Sequence, residues 1–452
     1  MSLILEKGDV YDVVGIGLGP ANLALAVALE DEAVKRDGVS LRRLFLDAKP
    51  SAAWHPGMLL EGSVLQVSVL KDLATLRNPC SPFTFLNYLK NKGRLLEFLN
   101  LRDLYPTRVE FNDYLVWVAQ QLHDRVSHGC EVLAIDPVRV EGKIKAVRVT
   151  YHDAKTGEAA YRLARNVVLA TGGVPSVPDG IQLRPGGRTF HSSQTLQKLK
   201  SDYPDTNAPY RFVVVGGGQS GAELFHYLMT HYPNADVTAT IRGLSYKPID
   251  DSHFSNEIFH PEMVGYVYDL PDSVRRRVLG HCRDVNYGVV SADLIRRIYN
   301  TLYQEKVAGR SRARVRGFLE LEQLLETDDV VMTRFRDLTT NEVVTMKADG
   351  VLMCTGYEWR LEHPLLRELS PFIEREADGS YKVERNYRVA TESGFEAGIF
   401  LQGFAEATHG VTETVLSLLS VRAGDIVQSI LESQSHAEHL NSANYAFGHT
   451  RH

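Results

Sequence analysis

The residues with the clearest chemistry are glycines, met twice at the end of an apolar run. Val10–Val14, apolar but for Asp12, leads into Gly15, Gly17 and Gly19-Pro20, and an apolar-periodic helix follows. Gly15 allows a tight turn. Gly17 lacks a Cβ, so the backbone can approach a pyrophosphate, and the helix N-terminus offers N–H donors and a positive dipole to the anion. Strict G-x-G-x-x-G spacing would put glycine at position 20. Proline there is tolerated, because the N–H it lacks is unpaired in a helix's first turn. A glycine turn alone is often only a turn, so its context matters. The next strand, Leu41–Asp47, ends in an acid, where a ribose-binding carboxylate belongs. The polar loop 33–40 accounts for the long interval before Asp47.

The second occurrence is complete. Arg211–Val215 runs into Gly216-x-Gly218-x-x-Gly221, with Gln219 and Ser220 between the glycines. The following strand, Ala235–Ile241, ends in Arg242 rather than an acid. An acid would pair with a ribose 2′-hydroxyl; arginine suits a 2′-phosphate. The second site therefore reads as NADP(H)-selective, although a strand-end arginine can also be mere surface. Two dinucleotide sites in one chain point to electron transfer from a nicotinamide to a flavin. No Ser-His-Asp order, H-E-x-x-H or P-loop stands out, so the chemistry falls to a cofactor. No redox cysteine pair is visible for a disulfide reductase, which leaves oxygen as the acceptor.

The elements that position these residues follow from the pattern. Between Asp47 and Pro79 the chain is polar and turn-rich, then alternates through Val64–Leu70. Phe83–Leu89 reads as a short helix and Phe111–Val126 as an amphipathic one starting near Asn112 or Asp113. Glu131–Leu169 alternates as in an antiparallel sheet and ends in a strand and glycine turn. Lys247–Arg314 is mostly helical. Gly350–Tyr357 echoes Leu169–Gly172, and such Thr-Gly pairs often mark crossings between nucleotide domains. Phe400–Gly403 and a helix over Thr412–Ser429 return the chain to its first domain. The histidines of the tail (His436, His439, His449, His452) lack helical i,i+4 pairing and read as solvated, so no metal site is expected.

The 452 residues, 44% hydrophobic and 23% charged with a net charge of −6, describe a soluble globular protein with no basic field to recruit nucleic acid or anionic membrane. The N-terminus is too short and acidic for a signal peptide, and no apolar run approaches a bilayer span. The four cysteines are scattered, as reduced cytoplasmic thiols would be.

Further motifs carry a resemblance: Gly15-Ile-Gly-Leu-Gly-Pro-Ala-Asn-Leu, Trp54-His55, Leu70-Lys71-Asp72, Arg77-Asn78-Pro79, Gly216-Gly-Gly-Gln-Ser-Gly, Phe254-x-Asn256-Glu257, Asn286-Tyr287, Thr355-Gly-Tyr and Thr408-His409-Gly410. Together they resemble the siderophore-type N-hydroxylating flavoprotein monooxygenases, most of all the branch acting on N5 of L-ornithine. The resemblance implies an α/β fold with two Rossmann-like domains, for FAD and NADPH, and a smaller, mostly helical substrate region. The boundaries expected are 1–185 for the first part of the FAD domain, 208–346 for the NADPH domain with substrate helices at about 247–314, 347–432 for the FAD return segment, and a flexible tail at 433–452.

By the same resemblance Gly15, Gly17, Gly19, Pro20, Asp47, Trp54, His55 and Gln66 serve FAD. Gly216, Gly218, Gln219, Ser220, Gly221 and Arg242 serve NADPH. Lys71, Asn256 and Asn286 contact an amino acid, and Thr414 and Leu416 line the flavin and substrate. Lysine can hold an α-carboxylate by charge-assisted hydrogen bonding, and asparagine amides donate and accept. The implied reaction uses NADPH and O₂ to form a flavin hydroperoxide that a neutral side-chain amine attacks. It yields N5-hydroxyornithine for siderophore or related biosynthesis. Departures at Ser252-His253-Phe254, Val285-Asn286-Tyr287-Gly288 and Gly410-Val411-Thr412-Glu413 keep lysine, a diamine, or another FAD/NADPH monooxygenase or oxidase as alternatives. The family also implies a homo-oligomer, a tetramer, in the cytoplasm.

Overall fold

Apolar runs that do not alternate are strands covered on both faces, and the chain builds two parallel sheets from them. The computed structural model describes residues 10–35, 41–360 and 362–448. In its first sheet the parallel order is Val126–His128, Arg43–Asp47, Val10–Ile16, the C-terminal part of Glu158–Leu169, then Gly398–Leu401. The N-terminal part of Glu158–Leu169 turns away and pairs antiparallel with Lys143–Asp153, which pairs with Cys130–Val140. The second sheet, all parallel, runs Ala313–Arg316, Asp236–Thr240, Arg211–Val215, Gly350–Met353, Thr189–His191. An antiparallel flap of Leu319–Glu326, Val331–Asp337 and Val343–Ala348 closes one face, packing Leu321 and Phe335 on Val213 and Val351.

Helix Pro20–Lys35 is buried continuously from Asn22 to Leu29. It lies between the first sheet, helix Arg108–Gln121 and helix Leu419–Gly448. Ala24, Ala26 and Ala28 carry no side chain beyond Cβ, which lets these neighbours approach closely. No helix among the described residues is long and apolar enough to cross a membrane.

Several local expectations shift. The helix expected from Phe111 begins at Arg108 and ends at Gln121, because Thr107 caps it by accepting from Glu110 N at 3.1 Å. The alternating stretch Val64–Leu70 is irregular. Its backbone is held at single points, with Leu65 N donating to Pro106 O and Val69 N to Leu104 O. The helix expected from Thr412 starts only at Leu419. Val411–Thr414 is instead a short 3₁₀ turn, because Glu413 turns inward to accept from Gly403 N and Ala405 N and to pair with Arg422. That final helix runs to Gly448, through the segment expected to be a tail from 433; His449 and His452 lie outside the described residues.

The 346/347 boundary also moves. Gly350–Met353, assigned from sequence to the FAD return segment, hydrogen-bonds to Arg211–Val215 and so belongs to the second sheet. Thr189–His191, upstream of the expected start at 208, is that sheet's edge strand. The chain crosses between the sheets at Val174–Pro175 and Tyr357–Glu358, which pair with each other antiparallel.

Candidate active site

Each glycine loop lies at the C-terminal end of its sheet, where parallel α/β folds bind ligands. In the first, Gly17 has φ +82°, and a Cβ there would lie 2.7 Å from Ala170 O. Backbone geometry demands this glycine. Gly19 differs: a Cβ added there meets nothing within 4 Å. Open space therefore lies directly before the helix beginning at Pro20, as a pyrophosphate cradle requires.

Asn22 holds the loop in shape. Its Nδ2 donates to Gly17 O at 2.7 Å and reaches Ile16 O and Val168 O, while its Oδ1 accepts from Gln402 Nε2 at 3.0 Å. Asn22 stands in the motif Gly15–Leu23, yet the sequence assigns neither it nor Gln402 a role, although a polar residue in an alanine-rich apolar helix is a readable signal. Asp47 is buried at the end of the adjacent strand and accepts from Lys49 N at 3.1 Å.

Trp54 packs edge-on against His55 and Phe111, and His55 and His191 both pack against Tyr357 at the crossing between the sheets. His55 stays open to solvent on one side while protein crowds its other sides. That desolvation, then the charges of Arg108 and Lys49, lowers its pKa to about 4. It is a neutral imidazole at working pH. Gln66 is exposed on the irregular stretch.

In the second loop Gly216 has φ +133°, and a Cβ would strike Cys354 O at 2.3 Å; one at Gly221 would strike Gly216 O at 2.3 Å. Gly218 is the N-cap of helix Gln219–His231 and supplies no capping side chain. The helix's first-turn N–H groups thus remain available to an anion. Gln219 donates to Glu223 at 2.8 Å and accepts from Ser291 N at 2.9 Å. Glu223 in turn pairs with Arg108 at 2.8 Å, joining helix Gln219–His231 to helix Arg108–Gln121. Gln219 is therefore braced within the protein and keeps one N–H and one lone pair for a ligand. Ser220 is half-buried beside it. Arg242 is exposed, with no carboxylate partner among the described residues.

Lys71 is half-buried, its Nζ 5.4 Å from the Phe259 ring centroid. Burial lowers its pKa, and no carboxylate among the described residues pairs with it. Phe259 lies on the 3₁₀ turn Ser255–Phe259 that also carries Asn256. Asn256 is exposed, its Nδ2 donating to Asp251 O at 3.0 Å. That turn packs against Val411–Thr414, which brings Thr414 to the same region. Asn286 ends helix Arg283–Asn286, and the phenol of its neighbour Tyr287 bonds to Thr414 at 2.7 Å and to Glu406. Leu416 is partly buried against the core around Leu73 and Leu419. Sequence spacing had no means of finding Glu406, which lies 119 residues from Tyr287.

The family described as L-lysine 6-monooxygenase/L-ornithine 5-monooxygenase matches residues 9–359. The L-ornithine N(5)-monooxygenase of Pseudomonas aeruginosa is 38% identical over 424 residues, covering 94% of each chain. Among solved structures, an ornithine N-hydroxylase from Kutzneria, in complex with reduced FAD, NADP⁺ and L-ornithine, superposes with a TM-score of 0.89 at 36% identity. That match covers 94% of this chain and 100% of the other. An L-lysine 6-monooxygenase from Pseudomonas syringae matches at TM-score 0.82 and 31% identity, over 94% of this chain and 99% of the other.

Proposed function

Because the chain belongs to the L-lysine 6-monooxygenase/L-ornithine 5-monooxygenase family, we propose that it is an FAD- and NADPH-dependent monooxygenase that converts L-ornithine to N5-hydroxyornithine. Bound FAD, reduced by NADPH, supplies activated oxygen. The protein's own residues do the rest. The open space at Gly19 and the helix N-terminus hold the FAD pyrophosphate, and Asp47 faces its ribose. Trp54, His55 and Gln66 lie toward the flavin. Gly216, Gly218 and Gly221 shape the second cradle, Gln219 and Ser220 contact NADPH, and Arg242 binds the 2′-phosphate.

Lys71 takes the substrate's α-carboxylate, Asn256 and Asn286 fix its backbone end, and Thr414 and Leu416 line the path of the side chain. Positioning of this kind can supply about 7–11 kcal/mol of a barrier. The observation that carries the substrate choice is Lys71: a half-buried ammonium with no carboxylate partner among the described residues suits an amino acid and has no use for a diamine. The enzyme works in the cytoplasm as a homo-oligomer, and size-exclusion chromatography with light scattering reads the latter.

The test is to load the protein with FAD, supply NADPH and O₂, and assay hydroxylamine formation from ornithine, lysine, arginine, putrescine and cadaverine. Ornithine should give the highest coupled turnover. Preference for a diamine would overturn the carboxylate role, and hydroxylamine from none of them would overturn the function.

A further inference from the structure

The chain of hydroxyls at Tyr287 has a direction. The Tyr287 hydroxyl donates its one proton to a Glu406 carboxylate oxygen. Tyr287 and Thr414 are 2.7 Å apart, and with the phenol proton already committed, Thr414 is the donor of that bond. The alternative for Thr414, donation straight to Glu406 at 3.5 Å, is at the outer limit of a hydrogen bond. Burial and then Glu406 raise the pKa of Tyr287, which keeps the phenol protonated and the order intact. With its proton used, Thr414 Oγ1 presents only lone pairs to its surroundings.

The three residues come from separate places: Tyr287 follows helix Arg283–Asn286 of the substrate region, Glu406 opens helix Glu406–His409, and Thr414 closes the turn Val411–Thr414. One carboxylate thus ties the substrate helices to the returning segment and sets which way a hydroxyl faces. Resting on the reading of this enzyme as an ornithine hydroxylase, we propose that Glu406 is a positioning residue: through Tyr287 it makes Thr414 an obligate acceptor for an N–H of the substrate's side-chain amine. An acceptor at that end complements the cation Lys71, which faces the carboxylate end. A substrate offering a hydroxyl or thioether in place of the amine gains no such complement.

The decisive variant is Glu406→Gln, which keeps the shape but can donate to Tyr287 and reverse the chain. The loss of a hydrogen bond to a charged group corresponds to a roughly ten- to hundredfold effect. The expected result is an ornithine KM raised by about that factor, with more NADPH oxidation ending in hydrogen peroxide. FAD content and the rate of flavin reduction by NADPH should stay at wild-type values. Ornithine should also raise the thermal midpoint of the variant less than that of wild type, a readout of binding alone. Thr414→Val should behave as Glu406→Gln. Wild-type KM and coupling in Glu406→Gln, or in Thr414→Val, would overturn the proposal while leaving the ornithine reading intact. Absence of hydroxyornithine from the wild-type enzyme would instead remove that reading.

Discussion

Lys71 brings a charge to a half-buried place beside the Phe259 ring, with no carboxylate paired to it among the described residues. A cation over a benzene face is held weakly, by about 0.5–2 kcal/mol, so it remains available to a stronger anionic partner. Deleting one member of a desolvated charge pair costs on the order of 2–5 kcal/mol. Lys71→Ala should therefore lower kcat/KM for ornithine by well over tenfold. Flavin reduction by NADPH should persist, with hydrogen peroxide released in place of hydroxylated product. Stopped-flow reduction and a peroxide assay on one preparation measure both, and unchanged ornithine hydroxylation would remove Lys71 from the site. The motif Leu70-Lys71-Asp72 pointed to this lysine although a lysine in a turn-rich stretch is ordinarily solvated, and the structure adds its half-buried setting beside Phe259.

At the scale of elements, the glycine loops were legible because strand, glycine turn and helix follow one another directly in sequence, although the carbonyls that crowd Gly17 and Gly216 belong to Ala170 and Cys354. Gly17 and Gly19 show how far such reading goes. Both look like cradle glycines, but Gly17 is required by its positive φ and by the carbonyl of Ala170, whereas only Gly19 faces empty space. Gly17→Val would disrupt the loop itself and say little about a ligand. Gly19→Val should leave a folded protein, shown by an unchanged circular dichroism spectrum, that purifies poor in FAD. A stoichiometrically yellow Gly19→Val protein would contradict the cradle.

What sequence could not show at this scale depended on distant partners. The helix after Thr412 starts late because Glu413 is taken up by Gly403, Ala405 and Arg422. The strand Gly350–Met353 looked like a return to the first sheet because its Thr-Gly ending repeats that of Leu169–Gly172, yet the two strands pair in different sheets. The edge strand Thr189–His191 is too short to carry a pattern of its own.

For the whole molecule, burial leaves a titration signature. His55, His191, His226, His363 and His409 all have lowered pKa values, with burial the largest cause in each and His55 lowest at about 4. In the unfolded chain histidine titrates near 6.5. Below that pH the unfolded state binds more protons than the folded one, so the stability these groups contribute is full above 6.5 and is lost as pH falls toward their folded values. Asp72, Glu110, Glu223 and Asp425, raised by burial, act in the opposite sense, losing stability as pH rises from the ordinary carboxylate range. The melting temperature at pH 6.0 should be below that at pH 7.5; a calorimetric scan showing it equal or higher would refute the assignment.

The bond from Gln402 to Asn22 spans 380 residues. A ribosome makes the first glycine loop long before the residue that braces it. By the time Met353 has emerged, every strand of the second sheet has been synthesised, whereas the first sheet still lacks Gly398–Leu401. Domains fold as units during synthesis, so the nicotinamide lobe can be finished on the nascent chain while the flavin lobe waits. The flavin cradle is braced last, near the end of translation, and a chain interrupted after the second lobe would carry a coenzyme site with no flavin site to serve.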